Sequence, residues 1–403
     1  MELFWLEHKK LWRKKIVKIC VLLCFVYCVI FGSILSFQWF CFGSSDDYTS
    51  AFGNNFDGYT VIKDSQEYAL SFGGELTDET LQQIVSDYQQ MEADGMEEEL
   101  EKTDWQIVNS WLGTLYPELR DTSNYKTMIS YVDPDKLTGF YERRQQVLDE
   151  FLEVSGQVGA EKEFLHQIER KVEKPFRYEW VEGWSTLLGS MVADLGVVMA
   201  LFLGIVLSSL FAGEWHDNTS TLVLTTRNGW GKIALAKILT GLAFTVELFA
   251  LLAVSNVISQ LFFMGTAGWD MPIQNIKLIA VAPMNMLQAE IYEYAFVLLG
   301  AIGFAGIVMF ISAAVKNNVL TLLLSLAVVY GPMMIAEYLP YKMQKALDLI
   351  PLVGSSTDIF RTNTFRIFGK LIWSPYLLIT IPVLIGILCM PFAIKSWSRR
   401  MKA

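Results

Sequence analysis

The sequence predicts an all-α polytopic membrane protein: six transmembrane helices, with a mainly helical extracellular domain inserted between the first and the second. Three observations lead there. Of 403 residues, 53% are hydrophobic and the mean hydropathy is +0.34, too apolar for an ordinary soluble protein. Six stretches supply the ~20 mostly apolar residues needed to cross ~30 Å of hydrocarbon. They are Ile16–Cys41, Leu187–Ala212, Ile233–Met264, Ile291–Val315, Val319–Tyr338 and Leu371–Ile394. Between the first two lie about 140 residues of quite different composition.

Residues 1–15 mix Leu3, Phe4, Trp5, Leu6, Leu11 and Trp12 with a basic cluster. Such a segment lies in the headgroup boundary, its aromatics sunk and its Lys and Arg on anionic lipid, and reads as a cytoplasmic interfacial helix. Docking of a cytosolic partner is the other reading. The first span, 16–41, is too long and too poorly followed by small residues for a removable signal peptide. Cys20, Cys24 and Cys28 share one helix face, a spacing read as small-residue packing rather than a metal site. The extracellular domain, 43–183, has no cysteine.

That domain carries thirty Asp and Glu against twelve Lys and Arg, a net charge of −18; the rest of the chain is +8. The overall −10 and the isoelectric point of 5.0 therefore describe neither part, and they give no ground for nucleic-acid binding. Thr77 or Asp78 caps a helix whose apolar positions are Leu81, Ile84, Val85 and Tyr88. Val147, Leu148, Phe151 and Leu152, then Phe164, Leu165, Ile168 and Val172, mark further helices, and Tyr59, Val61 and Ile62 a short strand. The acidity is read as a solvated surface or as attraction for cationic peptides or ions.

Spans two to six occupy 187–394. Fourteen Lys and Arg fall on the N-terminal side of the membrane, including Lys9, Lys10, Arg227, Lys237, Lys316 and Arg400. Six fall in the opposite short loops, five of them between the last two spans. Positive residues are retained inside during insertion, so both termini, including the 395–403 tail, are expected in the cytoplasm of a multi-pass cell-membrane protein.

Motifs for chemistry are missing. No GxxxxGK[ST] is present, and Gly229-Trp230-Gly231-Lys232-Ile233 lacks both the upstream glycine and the hydroxyl residue, so the chain is not expected to hydrolyse ATP alone. His8, His166 and His216 fall in separate segments, without metal-ligand spacing. GxSxG is absent too, and the chain is read as a non-enzyme without a cofactor of its own. Inside the spans, Asp194 and Glu247, with Asn256 further along the third, are candidates for a translocation pathway, because ionisable groups within a bilayer need a partner or water. An interhelical hydrogen bond, or hydration of Asp194 near the membrane surface, is the plainer account.

The segment Phe211–Lys237 joins the second and third spans. In it Phe211, Glu214, Thr219, Leu222, Leu224, Thr225, Arg227, Gly229 and Lys237 resemble the pattern of permeases of the ABC-2 exporter family, in which an acid leaves the second span, a short amphipathic helix and a threonine-arginine turn follow, and a lysine begins the third. The resemblance covers about 260 residues, the membrane part, and is similar to Gram-positive members with a large extracellular domain between the first two spans. It implies a coupling loop at 213–232, with Glu214, Asn218, Thr219, Leu222, Leu224, Thr225 and Arg227 meeting a separate ATPase. It also implies two cytosolic ATPase subunits that bind ATP and magnesium, and a second permease chain, the same or related. The expected function is export of a hydrophobic or amphipathic cargo such as a peptide, antibiotic or lipid. Ion extrusion and a non-transporting sensor or scaffold with a ligand-binding extracellular domain are the alternatives. Ser71-Phe72-Gly73-Gly74-Glu75 looks like a cassette signature loop, but it falls on the wrong side of the membrane with no Walker partner and reads as a turn.

Overall fold

The computed structural model describes residues 2–30, 62–63, 66–67, 73–95, 105–121, 123, 125–216, 231–336, 338–354, 360 and 363–400. Helix dominates, and the described strands form two short antiparallel pairs. Among the described residues, five helices are long and apolar enough to cross a membrane, over Leu195–Trp215, Lys232–Met264, Met286–Ala314, Asn318–Ala336 and Ser374–Ser398. The chain is thus a helical multi-pass membrane protein. Of the expected first span, residues 31–41 lie outside the described residues.

α1 (Glu2–Arg13) and α2 (Lys15–Val29) open the chain. On α2 Val17, Cys20, Cys24 and Cys28 are buried at helical spacing, while Ile16, Ile19, Leu22 and Phe25 stay exposed. That pattern suits a helix with protein on one face and lipid on the other. The three cysteines join the core built around Leu203, Leu207 and Phe304.

The inserted segment packs around its own apolar core. β1 (Gly74–Leu76) leads into α3 (Asp78–Ala93), where the Thr77 hydroxyl accepts the Thr80 amide at 3.2 Å and Leu81, Ile84, Val85 and Tyr88 are buried as their spacing predicts. α4 (Trp105–Leu115), α5 (Phe140–Val154) and α6 (Ala160–Glu169) follow, and β2 (Phe176–Tyr178) returns to pair with β1. The Asp78 carboxylate accepts the Gly139 and Phe140 amides at 2.7 and 2.9 Å, so the start of α3 caps the start of α5. Of the expected strand, Tyr59 and Val61 lie outside the described residues, and Ile62 is helical and buried in this core. Its branched side chain satisfies strand and helix cores alike, which is why the short apolar run misled.

α7 (Glu182–Thr186) and a wider helical turn, Leu187–Met191, deliver the chain to α8 (Val192–His216). After the undescribed 217–230 come α9 (Lys232–Met264), α10 (Met286–Ala314), α11 (Asn318–Ala336), α12 (Tyr341–Leu347) and α13 (Ser374–Arg400). Two starts differ from expectation. α10 begins five residues before Ile291, because Asn285 accepts the Gln288 amide at 2.8 Å while the Gln288 side chain accepts the Asn285 amide at 3.2 Å, a capping box. Leu371, Ile372 and Trp373 are not helical; they lie in β4 (Lys370–Trp373), paired with β3 (Thr364–Ile367). The two-residue turn between them, Phe368 and Gly369, has positive φ at both positions, the geometry that matches strand twist.

α10 and α13 meet almost backbone to backbone. A Cβ on Gly303 would stand 2.3 Å from the Pro382 carbonyl oxygen, and one on Gly306 2.5 Å from that of Gly386. Only glycine permits this approach. At the other end of α9 the segment 265–285 grips the inserted domain. Trp180 Nε1 donates to the Met264 carbonyl, Trp184 Nε1 to Ala267, Trp111 Nε1 to Asn275, and Arg144 to Leu278 and Ala280, at 2.7 to 3.2 Å. The bundle therefore has a domain end, carrying the described residues of 73–183, and an N-helix end, where α1 packs.

Candidate functional site

The segment singled out by sequence, 213–232, begins in helix: Gly213 to His216 complete α8, and Lys232 starts α9. Asn218, Thr219, Leu222, Leu224, Thr225 and Arg227 lie outside the described residues. Glu214 is described, and its surroundings define a site at the N-helix end.

Glu214 occupies the last turn of α8 and Lys237 the second turn of α9. Lys237 Nζ donates to Glu214 Oε1 at 2.8 Å, and both side chains are almost wholly buried, at 2% and 3% exposure. Nζ donates as well to Glu7 Oε2 at 2.8 Å and to the Leu210 carbonyl at 3.1 Å. Lys10, half exposed, donates to the same Glu214 oxygen at 2.6 Å. Two carboxylates thus alternate with two ammonium groups. A single pair removed from water gains little, since desolvation offsets Coulomb attraction; several partners per charge reverse that balance. The network ties the two helices flanking 217–230 to each other and to α1.

Packing holds the end of α8 from its other sides. The Ser312 hydroxyl of α10 accepts the Phe211 and Ala212 amides at 3.1 Å and donates to the Ser208 carbonyl at 2.7 Å. Trp397 of α13 lies edge-on to Phe211 and Trp215, and Lys316 Nζ sits 4.2 Å above the Trp215 ring. Lys14 reaches Ser209 Oγ at 3.0 Å.

Glu247 sits along the same α1 to α9 contact. Its carboxylate, 43% exposed, accepts Trp12 Nε1 at 3.0 Å and lies 3.1 Å from His8 Nε2, with Trp12 edge-on to Phe244. Asn256 is buried on the α9 face turned to α10, beside the Tyr294 hydroxyl, well away from Glu247. Asp194 is in the first turn of α8, and its side chain lies outside the described residues. Glu247 and Asn256 thus occupy different stretches of α9.

Sequence reasoning gave none of these site residues its partner, and it did not single out Glu7 at all. Glu7 and Lys10 on α1, followed by Lys14 just past its end, recur at helical spacing, so one face carries charges of both signs, which a bilayer-embedded face does not need. That was the available signal. The exposed Trp5 and Leu6 lie off this face and suit an interfacial setting.

Compared with known protein families, curated proteins and solved structures, the chain matches none.

Proposed function

We propose that this chain is the transmembrane permease subunit of an ATP-driven exporter of the ABC-2 type, energised by separate cytosolic ATPase subunits. The observation that supports it best is the Glu214–Lys237 pair, which joins the two helices flanking 217–230 and fastens α1 to them. A loop meant only to connect two spans needs no buried ion network. A loop that receives force does, because its flanking helices must move as one.

In this reading ATP-driven closure of two ATPases pushes on 217–230, and the push enters α8 and α9 together through the network. α9 has 33 residues, about 50 Å of continuous helix, so its far end follows as a rod. That far end holds the inserted domain through Trp180, Trp184 and Arg144. Rearrangement of the bundle and of the domain are thus one motion, the ordinary currency of alternating access. Cargo is hydrophobic or amphipathic, and a second permease chain completes the pathway.

A second reading, a ligand sensor without transport, is favoured by one observation. A cavity of about 340 Å³ at the domain end is lined by Lys171, Arg177, Asp270, Gln274, Asn285 and Gln288. The same rod would then report ligand occupancy inward. Isolation of the tagged chain together with the products of its neighbouring genes separates the two: the exporter requires a Walker-motif ATPase in the complex, the sensor does not.

A further inference from the structure

A second polar cluster is buried in the bundle, far from the charge network. Glu290 and Glu293 stand one turn apart on α10, 4% and 0% exposed, and none of their four carboxylate oxygens makes a well-formed hydrogen bond. The Tyr294 hydroxyl lies beside Glu290 and Asn256 and is itself without one. Gln260, 1% exposed, leaves both amide atoms unbonded. α9 and α10 run antiparallel, so one turn on from Asn256 along α9 matches one turn back from Tyr294 along α10. Gln260 is therefore level with Glu290.

Apolar packing does not account for this group. A buried carboxylate without a partner costs several kcal/mol, and two of them side by side repel. The donors gathered here are oxygens, from carboxylates, amides and a phenol, the set that suits a hard cation. The positive group acting on Glu293 is the exposed Lys277 of the 265–285 segment, which leaves the two buried carboxylates short of positive charge. The near-complete burial limits the occupant to the size of an atom. The 340 Å³ cavity lined by Gln274 and Gln288 lies at the same end of α10, Gln288 preceding Glu290 by two residues.

We propose that Glu290, Glu293, Gln260 and Tyr294 form a binding site for one small hard metal cation, sodium in the first instance, reached from the domain end. The bound ion ties α9 to α10. The site stands independently of what drives the protein.

The test uses the full chain in lipid nanodiscs, with NaCl exchanged for isotonic choline chloride at constant pH. Sodium raises the thermal unfolding midpoint of the wild type, and the rise is lost in Glu290→Gln and Glu293→Gln. Dicyclohexylcarbodiimide, which reacts with buried protonated carboxyls, labels Glu290 or Glu293 in choline, and sodium reduces that labelling several-fold. Gln260→Leu, which keeps both carboxylates, weakens the sodium response rather than abolishing it. A wild-type midpoint that is the same in sodium and choline overturns the site. So does a sodium response that survives in both Glu→Gln variants.

Discussion

The Lys237 ammonium reaches the Glu214 carboxylate at 2.8 Å across the two ends of a segment joining consecutive membrane helices, and neither side chain is more than 3% exposed. The pair is also bonded from α1, by Glu7 on one side and Lys10 on the other. Three helices consequently share one electrostatic knot at the N-helix end of the bundle.

Lys237→Met strips Glu214 of its buried partner. Breaking such a pair from one side costs about 3–5 kcal/mol. The thermal midpoint of the purified protein is expected to fall steeply, while Lys237→Met combined with Glu214→Gln recovers part of the loss. Equal losses in the single and double variants would show that the two charges are not coupled.

Glu247→Gln is expected to change stability by under about 1 kcal/mol, because a partly exposed carboxylate contact contributes little and the amide oxygen still accepts the Trp12 indole. A strong loss of transport at normal expression would instead assign Glu247 a place in the cargo pathway.

Gly303→Ala and Gly306→Ala force a methyl group against the Pro382 and Gly386 carbonyls and should cost about 1–3 kcal/mol or more. Gly331→Ala is the control: its Cβ meets nothing within 4 Å, so it is neutral or slightly stabilising. Unfolding midpoints of the three variants measure this directly.

In the inserted domain Arg144 is wholly buried and donates to Glu169 at 2.6 Å. Burial alone raises the Glu169 carboxyl, but hydrogen bonds from Lys174 and Arg144 outweigh it and hold the group below the usual carboxylate range. Burial likewise pulls the Arg144 guanidinium down, against the pull of Glu169. A carboxylate lowered by folding contributes its stability in full above the unfolded value of about 4.3 and loses it as pH falls from there through the folded value. Acid titration of domain unfolding, followed by tryptophan fluorescence, should show that loss in the wild type and a smaller one in Glu169→Gln. At neutral pH Glu169→Gln is itself destabilised, by about 3 kcal/mol or more, since Arg144 loses its buried anion.

Much of the bundle was legible in the sequence because twenty-odd apolar residues in a row have few other fates. The third span, expected over Ile233–Met264, forms over Lys232–Met264 and stops at Gly265, whose φ is +78°. Boundaries failed where polarity and structure part company. Glu290 looks like a residue outside a membrane, which hid the start of α10; the Asn285 and Gln288 capping box was the better guide. Leu371 to Trp373 are apolar enough for a span, yet the turn at Phe368 and Gly369 folds them into a hairpin whose Arg366 and Thr364 reach Glu161 and Gln157 of the inserted domain. At the site, Glu214 and Lys237 stood out by spacing alone. Their joint pairing with Glu7 and Lys10 depends on how α1 folds back, a tertiary fact that no local pattern carries.

The central claim is the proposal that energy enters this chain from another polypeptide at 217–230, between the helices that Glu214 and Lys237 join. The most direct measurement places a photo-crosslinking amino acid at Leu222 or Thr225 in cells that also express the neighbouring genes, and identifies what is captured. The account predicts a Walker-motif ATPase, with capture reduced when Arg227 is replaced by Ala at unchanged expression. Crosslinks to lipid or to the chain itself alone, with no ATPase in the purified complex, would contradict it.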